Sequence, residues 1–127
     1  MADVPDFRTV TVEALVASVR AGDLTAAALT EAALERIADG NDALNAFVAV
    51  DADAARASAA SVDDRLASGE EVGPLAGIPI GVKDLEDAVG FRTTRGAAHL
   101  ADTAPATADS TEVARLCLLY TSPSPRD

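Results

Sequence analysis

An apolar segment at residues 74–83, Pro-Leu-Ala-Gly-Ile-Pro-Ile-Gly-Val-Lys, constrains the fold of this chain more than any other stretch. Its two prolines lack backbone donors and exclude a regular helix. The isoleucines and the valine of its second half alternate along the chain, which predicts a short strand with one apolar face. The segment ends on Lys83, the only lysine in the 127-residue sequence.

Apolar residues at helical spacing predict three helices before this segment, over residues 11–20, 25–39 and 51–68. Thr11 and Thr25 are the expected N-caps of the first two helices, and Gly22 and Gly40 are expected to end them. The third helix carries a seam of alanines, which pack closely but bury little area, so we expect it to lie on a larger body. A short extended piece is predicted at residues 47–50.

The sequence after the apolar segment lacks sustained periodicity. Residues 85–107 are rich in Gly, Thr and Ala and predict an ordered loop with short turns. Asp109 begins a pattern typical of a helix start, with Glu112 three residues later. Residues 117–127 break the composition abruptly, and we interpret them as a non-native tail of the kind produced when a sequencing read enters adapter DNA; the alternative is a native Pro/Ser-rich linker. This divides the chain into residues 1–116 and 117–127.

The chain is strongly acidic, with 21 acids, 10 bases and a net charge of −11. This charge argues against non-specific binding to nucleic acid or anionic membranes, which needs a positive surface. Two interpretations fit the composition: adaptation to a salt-rich cytoplasm, or a GC-rich genome that favours Ala, Asp, Gly and Arg codons. No transmembrane segment or signal peptide is visible, so we expect a cytoplasmic protein that does not bind membranes.

Most motifs that carry chemistry are absent. With one histidine (His99), one cysteine (Cys117) and no HExxH pattern, we expect no metal site. With no Walker loop and no GxGxxG pattern, we also expect no cofactor. The acid pairs at residues 63–64 and 70–71 are typical of a solvated surface rather than a catalytic pair.

Lys83 has two interpretations from the residues alone. A lysine beside an aspartate commonly forms a surface ion pair, here with Asp84. Alternatively, the apolar run before Lys83 favours its desolvation, and burial lowers the pKa of a lysine because it disfavours the ammonium form. General-base lysines require that shift. On a strand, Asp84 would point to the opposite face and need not neutralise Lys83.

Residues 73–84, Gly-Pro-Leu-Ala-Gly-Ile-Pro-Ile-Gly-Val-Lys-Asp, and the downstream Thr-Thr-Arg-Gly at residues 93–96 resemble the amidase signature family. The preceding helices agree with that family's pattern, and the resemblance covers roughly residues 10–116. It implies an α/β fold, of which this chain would be an incomplete N-terminal portion: helices, then the first core strand with its lysine.

The resemblance also implies a reaction. Members hydrolyse or transfer carboxamide nitrogen with a Ser–cis-Ser–Lys triad, and Lys83 matches the catalytic lysine. Its neutral amine would accept a proton through the bridging serine and so activate the nucleophilic serine. Neither triad serine has a counterpart in this sequence, which resembles about the first quarter of an amidase. We therefore expect the 127-residue fragment to be inactive.

Two alternatives remain open. Within the family, the parent protein would be the A subunit of the glutamine-dependent aminoacyl-tRNA amidotransferase, acting with B and C subunits. Outside it, the chain would be a non-catalytic helical interaction domain with Lys83 as a surface charge. For the amidase we expect a small-molecule amide substrate and a homodimer, and no nucleic-acid partner unless the protein is the amidotransferase subunit.

The salt-adaptation interpretation makes a testable prediction. Multimolar KCl should stabilise the full-length protein, because the salt screens repulsion among surface carboxylates. Thermal unfolding at low and at multimolar KCl checks this. Equal stability in both would contradict the salt-adaptation interpretation and leave codon composition as the explanation.

Overall fold

The structure, a computed structural model, describes residues 3–121 and the side chains of residues 3–119. These residues form four α-helices: α1 (Val12–Ala21), α2 (Ala26–Leu44), α3 (Ala52–Ala67) and α4 (Thr111–Thr121). A single 3₁₀ turn covers Ala98–Leu100, and the described residues contain no β-strand. The chain divides into two compact units, one running up to Pro79 and including the chain from Leu119, the other Ile80–Leu118.

Local capping defines α1 as the sequence predicts. The Thr11 hydroxyl oxygen accepts a hydrogen bond from the Ala14 N–H at 3.2 Å, which satisfies a donor of the first turn. Gly22 follows the helix in the left-handed conformation with φ 81°, and its N–H bonds to carbonyl oxygens of the last turn. Both predicted ends of α1 are confirmed.

The start of α2 has two caps, one local and one distant. The Thr25 hydroxyl oxygen accepts from the Ala28 N–H at 3.0 Å, which confirms Thr25 as the N-cap. The Asp63 carboxylate of α3 accepts from the N–H groups of Ala26 and Ala27, at 2.7 and 2.9 Å. Asp63 is half-buried, so the prediction of a merely solvated acid is wrong for this residue. Its negative charge also complements the positive end of the α2 dipole.

The predicted end of α2 at Gly40 is wrong. The helix continues to Leu44 and ends at Asn45, which has φ 53° and takes the left-handed position. A glycine inside a helix costs only about 1 kcal/mol relative to alanine, so Gly40 weakens α2 without stopping it. Asparagine tolerates the left-handed conformation better than most residues, which suits Asn45 to the C-cap.

The extended piece predicted at residues 47–50 is not paired as a strand. The Asn41 side chain instead takes both backbone groups of Phe47. The Phe47 N–H donates to Asn41 Oδ1 at 2.8 Å, and Asn41 Nδ2 donates to the Phe47 carbonyl at 2.9 Å. A side-chain amide thereby supplies the hydrogen bonds that a neighbouring strand would otherwise make.

Helix α3 confirms the predicted alanine seam. Asp51 caps its N-terminus, with the carboxylate accepting from the Ala54 N–H at 2.9 Å. Ala59, in the middle of the seam, is buried, and the other seam residues are half-buried. This helix packs against α2, which supplies the larger body that a seam of small side chains needs.

The core of the first unit is formed by leucine and valine side chains of α1, α2 and the turn between them: Leu15, Val19, Leu24 and Leu29. Leu29 is fully buried. Partly buried side chains from the N-terminal segment, from α3 and from the apolar segment pack on this cluster: Val4, Phe7, Val10, Leu66 and Ile78. Burying a leucine side chain contributes about 2 kcal/mol, so burial of this cluster stabilises the unit.

Gly77 seats the apolar segment against this core. A Cβ at this position would lie 3.0 Å from Val19 Cγ1 and 3.4 Å from Ala26 Cβ, and the φ of Gly77 is +88°. Only glycine meets both requirements, because other residues carry a Cβ and rarely adopt positive φ. The neighbouring Arg20 guanidinium donates to the Gly73 carbonyl at 3.2 Å, which fixes the start of the segment.

The strand predicted from the alternation in residues 74–83 is not present in this chain. Its first half folds into turns, in which the Ala76 N–H donates to the Gly73 carbonyl and the Ile78 N–H to the Leu75 carbonyl, each at 3.1 Å. Its second half has no regular structure. A strand exists only through hydrogen bonds to a neighbouring strand, and residues 3–121 supply none. The α/β class therefore stays a prediction for the full-length protein.

The second unit is loop-rich, as predicted for residues 85–107, and ends in α4. The Ser110 hydroxyl oxygen accepts from the Val113 N–H at 3.3 Å, so Ser110 takes the capping role expected of Asp109. Asp109 instead accepts from the Val89 N–H at 2.8 Å. Helix α4 continues to Thr121, into the stretch interpreted as a non-native tail, and residues 122–127 lie outside the described part.

Replacing Asp63 by alanine should loosen the start of α2. Removing a capping carboxylate costs about 1–2 kcal/mol, so the Ala26 and Ala27 amide protons should exchange roughly 5- to 30-fold faster. Amide hydrogen exchange measured by NMR checks this. Asp64→Ala is the matched control, because it makes the same charge change at an exposed position. Equal exchange rates in both variants would show that the Asp63 cap contributes nothing.

Candidate active site

Lys83 lies at the start of a tight turn in the second unit. Its carbonyl oxygen accepts hydrogen bonds from the Leu85 N–H at 2.7 Å and from the Glu86 N–H at 3.0 Å. The turn over residues 83–86 fixes the backbone on the C-terminal side of Lys83, while the Lys83 residue itself is exposed.

The side chain of Asp84 binds a second turn ten residues further along the chain. Asp84 Oδ1 accepts from the Thr94 N–H at 2.6 Å. Asp84 Oδ2 accepts from the Thr94 hydroxyl and from the Gly96 N–H, the latter at 3.3 Å. One half-buried carboxylate thus receives three donors from a short stretch of chain.

The turn bound by Asp84 has an uncommon backbone. The Ala97 N–H donates to the Thr94 carbonyl at 2.9 Å and closes a turn over residues 94–97. Its two central residues, Arg95 and Gly96, have φ values of 54° and 70°. Two consecutive positive φ values are the pattern of a type I′ turn, which suits glycine but strains arginine. The Asp84 hydrogen bonds stabilise this turn.

Thr93 makes a second connection beside the first. Its hydroxyl donates to Asp87 Oδ1 at 2.5 Å and approaches the Glu86 carbonyl at 3.5 Å. We call the turns over residues 83–86 and 94–97, together with Asp87 and Thr93, the two-turn clamp. Sequence reasoning did not identify it. The sequence does contain a signal for it. Asp84 is a strong hydrogen-bond acceptor, and the Thr-Thr-x-Gly pattern at residues 93–96 supplies hydroxyl and backbone donors.

The electrostatics of Asp84 follow from these bonds. The Thr94 hydroxyl, followed by the Thr94 and Gly96 amides, holds the pKa of the Asp84 carboxyl below its ordinary value, because each donor favours the charged form. Lys83 makes no ion pair with any described residue, so the surface pair with Asp84 that the sequence suggested is not formed. Asp84 is engaged with the second turn instead.

The desolvation expected for Lys83 is not observed in this chain. Lys83 is exposed, and the two apolar side chains preceding it, Ile80 and Val82, are 46% and 41% exposed. An apolar run removes water from a neighbour only when another element covers it. The described residues leave nearly half of each of these side chains in contact with water.

The other candidate residues form no site. His99 is exposed in the 3₁₀ turn, and no cluster of potential metal ligands occurs among the described residues. Cys117 is an exposed residue, but partial desolvation of its thiol and the Asp109 carboxylate raise the pKa of that thiol, which disfavours the reactive thiolate. In the acid pair at residues 70–71, Glu70 forms an exposed ion pair with Arg65 at 3.1 Å. None of the described helices has the length and apolar character to cross a bilayer.

Comparison with known proteins gives one consistent family. The sequence pattern of the Amidase family matches residues 28–118, which contain both turns of the clamp. The A subunit of glutamyl-tRNA(Gln) amidotransferase from Salinispora tropica is 42% identical over 116 residues, covering 91% of this chain and 23% of that protein.

Solved structures agree with this match. A bacterial aryl acylamidase of the amidase signature family superposes with a TM-score of 0.79 at 28% identity, covering 89% of this chain and 24% of that one. A protein of a vestigial complex, described in connection with the origins of an s-triazine catabolic enzyme, gives a TM-score of 0.82 at 32% identity, covering 89% and 25%. This chain therefore spans about a quarter of the length of the relatives that it matches.

The clamp should open in acid. Because the folded pKa of Asp84 lies below its unfolded value, its stabilising contribution is complete above the unfolded pKa and is lost as the pH falls through the folded one. The Thr94 and Gly96 amide signals should therefore titrate with a midpoint below the ordinary pKa of an aspartate, near 3.8.

NMR titration of the chain between neutral pH and the lowest pH at which it stays folded checks this expectation. Asp84→Asn should abolish the transition at Gly96, and Asp102→Asn, at an exposed position, should leave it unchanged. A midpoint above 3.8 in the unsubstituted chain would contradict the clamp's dependence on the charged carboxylate.

Proposed function

Because this chain belongs to the amidase signature family, we propose that its full-length protein is a hydrolase that cleaves the C–N bond of a carboxamide. The observation that carries the proposal is the family match over residues 28–118, which includes Lys83 and the turn that Asp84 binds. The substrate we propose is a small-molecule amide.

We assign Lys83 the role of general base. Its Nζ, in the neutral form, would accept a proton through a bridging serine from the nucleophilic serine, whose oxygen then attacks the amide carbon. Collapse of the tetrahedral intermediate would return the proton to the leaving nitrogen and leave an acyl-serine for hydrolysis. The absence of an ion pair between Lys83 and any described carboxylate supports this role, because such a pair would favour the ammonium form.

A lysine that acts as a general base also needs an environment that excludes water, because desolvation disfavours its ammonium form. In the full-length protein we propose that further chain covers Ile80 and Val82 and removes water from Lys83. The triad serines would come from the same additional chain. The 127-residue fragment would then be inactive, with residues 1–116 as its native part and residues 117–127 as a non-native tail.

A second candidate function has a specific observation behind it. The relative from Salinispora tropica, 42% identical to this chain, is named as the A subunit of a glutamyl-tRNA(Gln) amidotransferase. In that case the amide would be that of glutamine, and the released ammonia would pass to a partner subunit. Genes for B and C subunits beside the full-length gene would favour this function over a free-standing amidase. A non-catalytic interaction domain receives no support from the family match.

Substitution of Lys83 tests the mechanism in the full-length enzyme. Lys83→Ala should lower kcat for amide hydrolysis by about 10³-fold, the scale of a lost general base. Lys83→Arg should not restore it, because a guanidinium stays protonated and cannot accept the proton. Arg115→Ala, at an exposed position of α4, is the control and should behave like the unsubstituted enzyme. Activity of Lys83→Ala within a few-fold of the unsubstituted enzyme would refute the assignment.

A further inference from the structure

We propose that Asp84 is a positioning residue, which holds the catalytic lysine in place by tying the turn over residues 83–86 to the turn over residues 94–97. The proposal rests on the function proposed above. It assigns the aspartate next to the lysine a role without proton transfer and without contact with the substrate.

The hydrogen bonds of the second turn go to Asp84 and not to its neighbour Lys83. Both carboxylate oxygens of Asp84 accept donors from the second turn, through the Thr94 N–H, the Thr94 hydroxyl and the Gly96 N–H. Lys83 receives no ion pair from Asp84. The acidic neighbour therefore holds the backbone and leaves the amine available to a bridging hydroxyl.

Lys83 is restrained through the backbone that it shares with Asp84. The peptide between the two residues is planar. Few soft dihedrals therefore lie between the anchored Asp84 carboxylate and the Lys83 Cα. The Lys83 carbonyl is held from the other direction by the Leu85 and Glu86 N–H groups. Together these bonds limit rotation about the Lys83 backbone and so limit the volume that Nζ can sample.

The second turn is suited to be an anchor because its conformation is unusual. Arg95 adopts φ 54°, which is unfavourable for a residue with a Cβ and persists only where surrounding bonds enforce it. The Thr94 hydroxyl lies between the two turns: it donates to Asp84, and the Gly96 N–H approaches its oxygen at 3.3 Å. Thr94 is therefore the residue through which the anchor can be released without touching Asp84.

The position of a general base matters because it can accept a proton only from a group within hydrogen-bond distance. A displacement of about 1 Å caused by a change outside the reacting atoms can lower the rate about 100-fold. Loss of the clamp should therefore reduce kcat. It should leave KM nearly unchanged, because neither Asp84 nor Thr94 is proposed to contact the substrate.

The test compares variants of the full-length enzyme. Asp84→Asn keeps one carbonyl oxygen but loses an acceptor, and Thr94→Val removes the hydroxyl while keeping the shape. Each should lower kcat about 10- to 100-fold with KM within about twofold. Thr94→Ser retains the hydroxyl and should restore kcat to within about threefold of the unsubstituted enzyme. Asp102→Asn, a charge-matched substitution at an exposed loop position, is the control and should change neither parameter.

A second measurement does not depend on activity. In NMR spectra of the 127-residue chain, Asp84→Asn and Thr94→Val should shift the backbone and Cε signals of Lys83, and Thr94→Ser and Asp102→Asn should not. Unchanged Lys83 signals in the first two variants would overturn the proposal. Because this measurement uses the 127-residue chain, it tests the proposal even where a full-length variant fails to fold.

The outcomes separate the two proposals. If the full-length protein hydrolyses no carboxamide, the proposed function itself fails, and if Lys83→Ala retains activity, the general-base role of Lys83 fails. If Lys83→Ala is inactive but Asp84→Asn and Thr94→Val keep the unsubstituted kcat, the function stands and the positioning role is wrong. A loss of activity that Thr94→Ser does not restore would also overturn it, because the hydroxyl would then not be the linking group.

Discussion

The structure depends on aspartate carboxylates that accept backbone N–H groups from other segments of the chain. Asp63 receives two such donors at the start of α2 from 36 and 37 residues away. Asp84 receives the Thr94 and Gly96 amides, and Asp109 receives the Val89 amide. The described residues contain no sheet, so backbone donors outside the helices need acceptors other than a strand ladder. Charged carboxylates are strong ones.

This use of aspartate adds a structural reason for part of the acidity. Asp63 and Asp84 are half-buried, and each holds two segments together, unlike the exposed carboxylates that salt adaptation or codon composition would explain. The Asp84 connection is sensitive to acid, because a protonated carboxyl loses the charge that strengthens its hydrogen bonds. The lowered pKa of Asp84 reflects the same link between charge and folding, because the hydrogen bonds of the folded chain favour the charged carboxylate.

The two motifs that indicate the family form one structural unit. The lysine–aspartate pair ends the apolar segment, the Thr-Thr-Arg-Gly stretch lies ten residues later, and the Asp84 carboxylate joins them. In this arrangement the two adjacent residues, Lys83 and Asp84, make different contacts. Asp84 satisfies the turn, and Lys83 keeps an amine that no described carboxylate pairs with. A family pattern that looks like two short signatures is therefore one structural unit held by hydrogen bonds.

The sequence by itself determined the features that depend on neighbours three or four residues away: the threonine caps of α1 and α2, the glycine end of α1 and the alanine seam of α3. It also indicated the family, because that pattern is local. Tertiary structure decided the rest. Asp63 caps a distant helix, Asn41 replaces a strand partner for Phe47, and the apolar alternation near Ile80 forms no strand. Each of these depends on which group supplies the missing hydrogen-bond partner, and only the folded chain brings that group within reach.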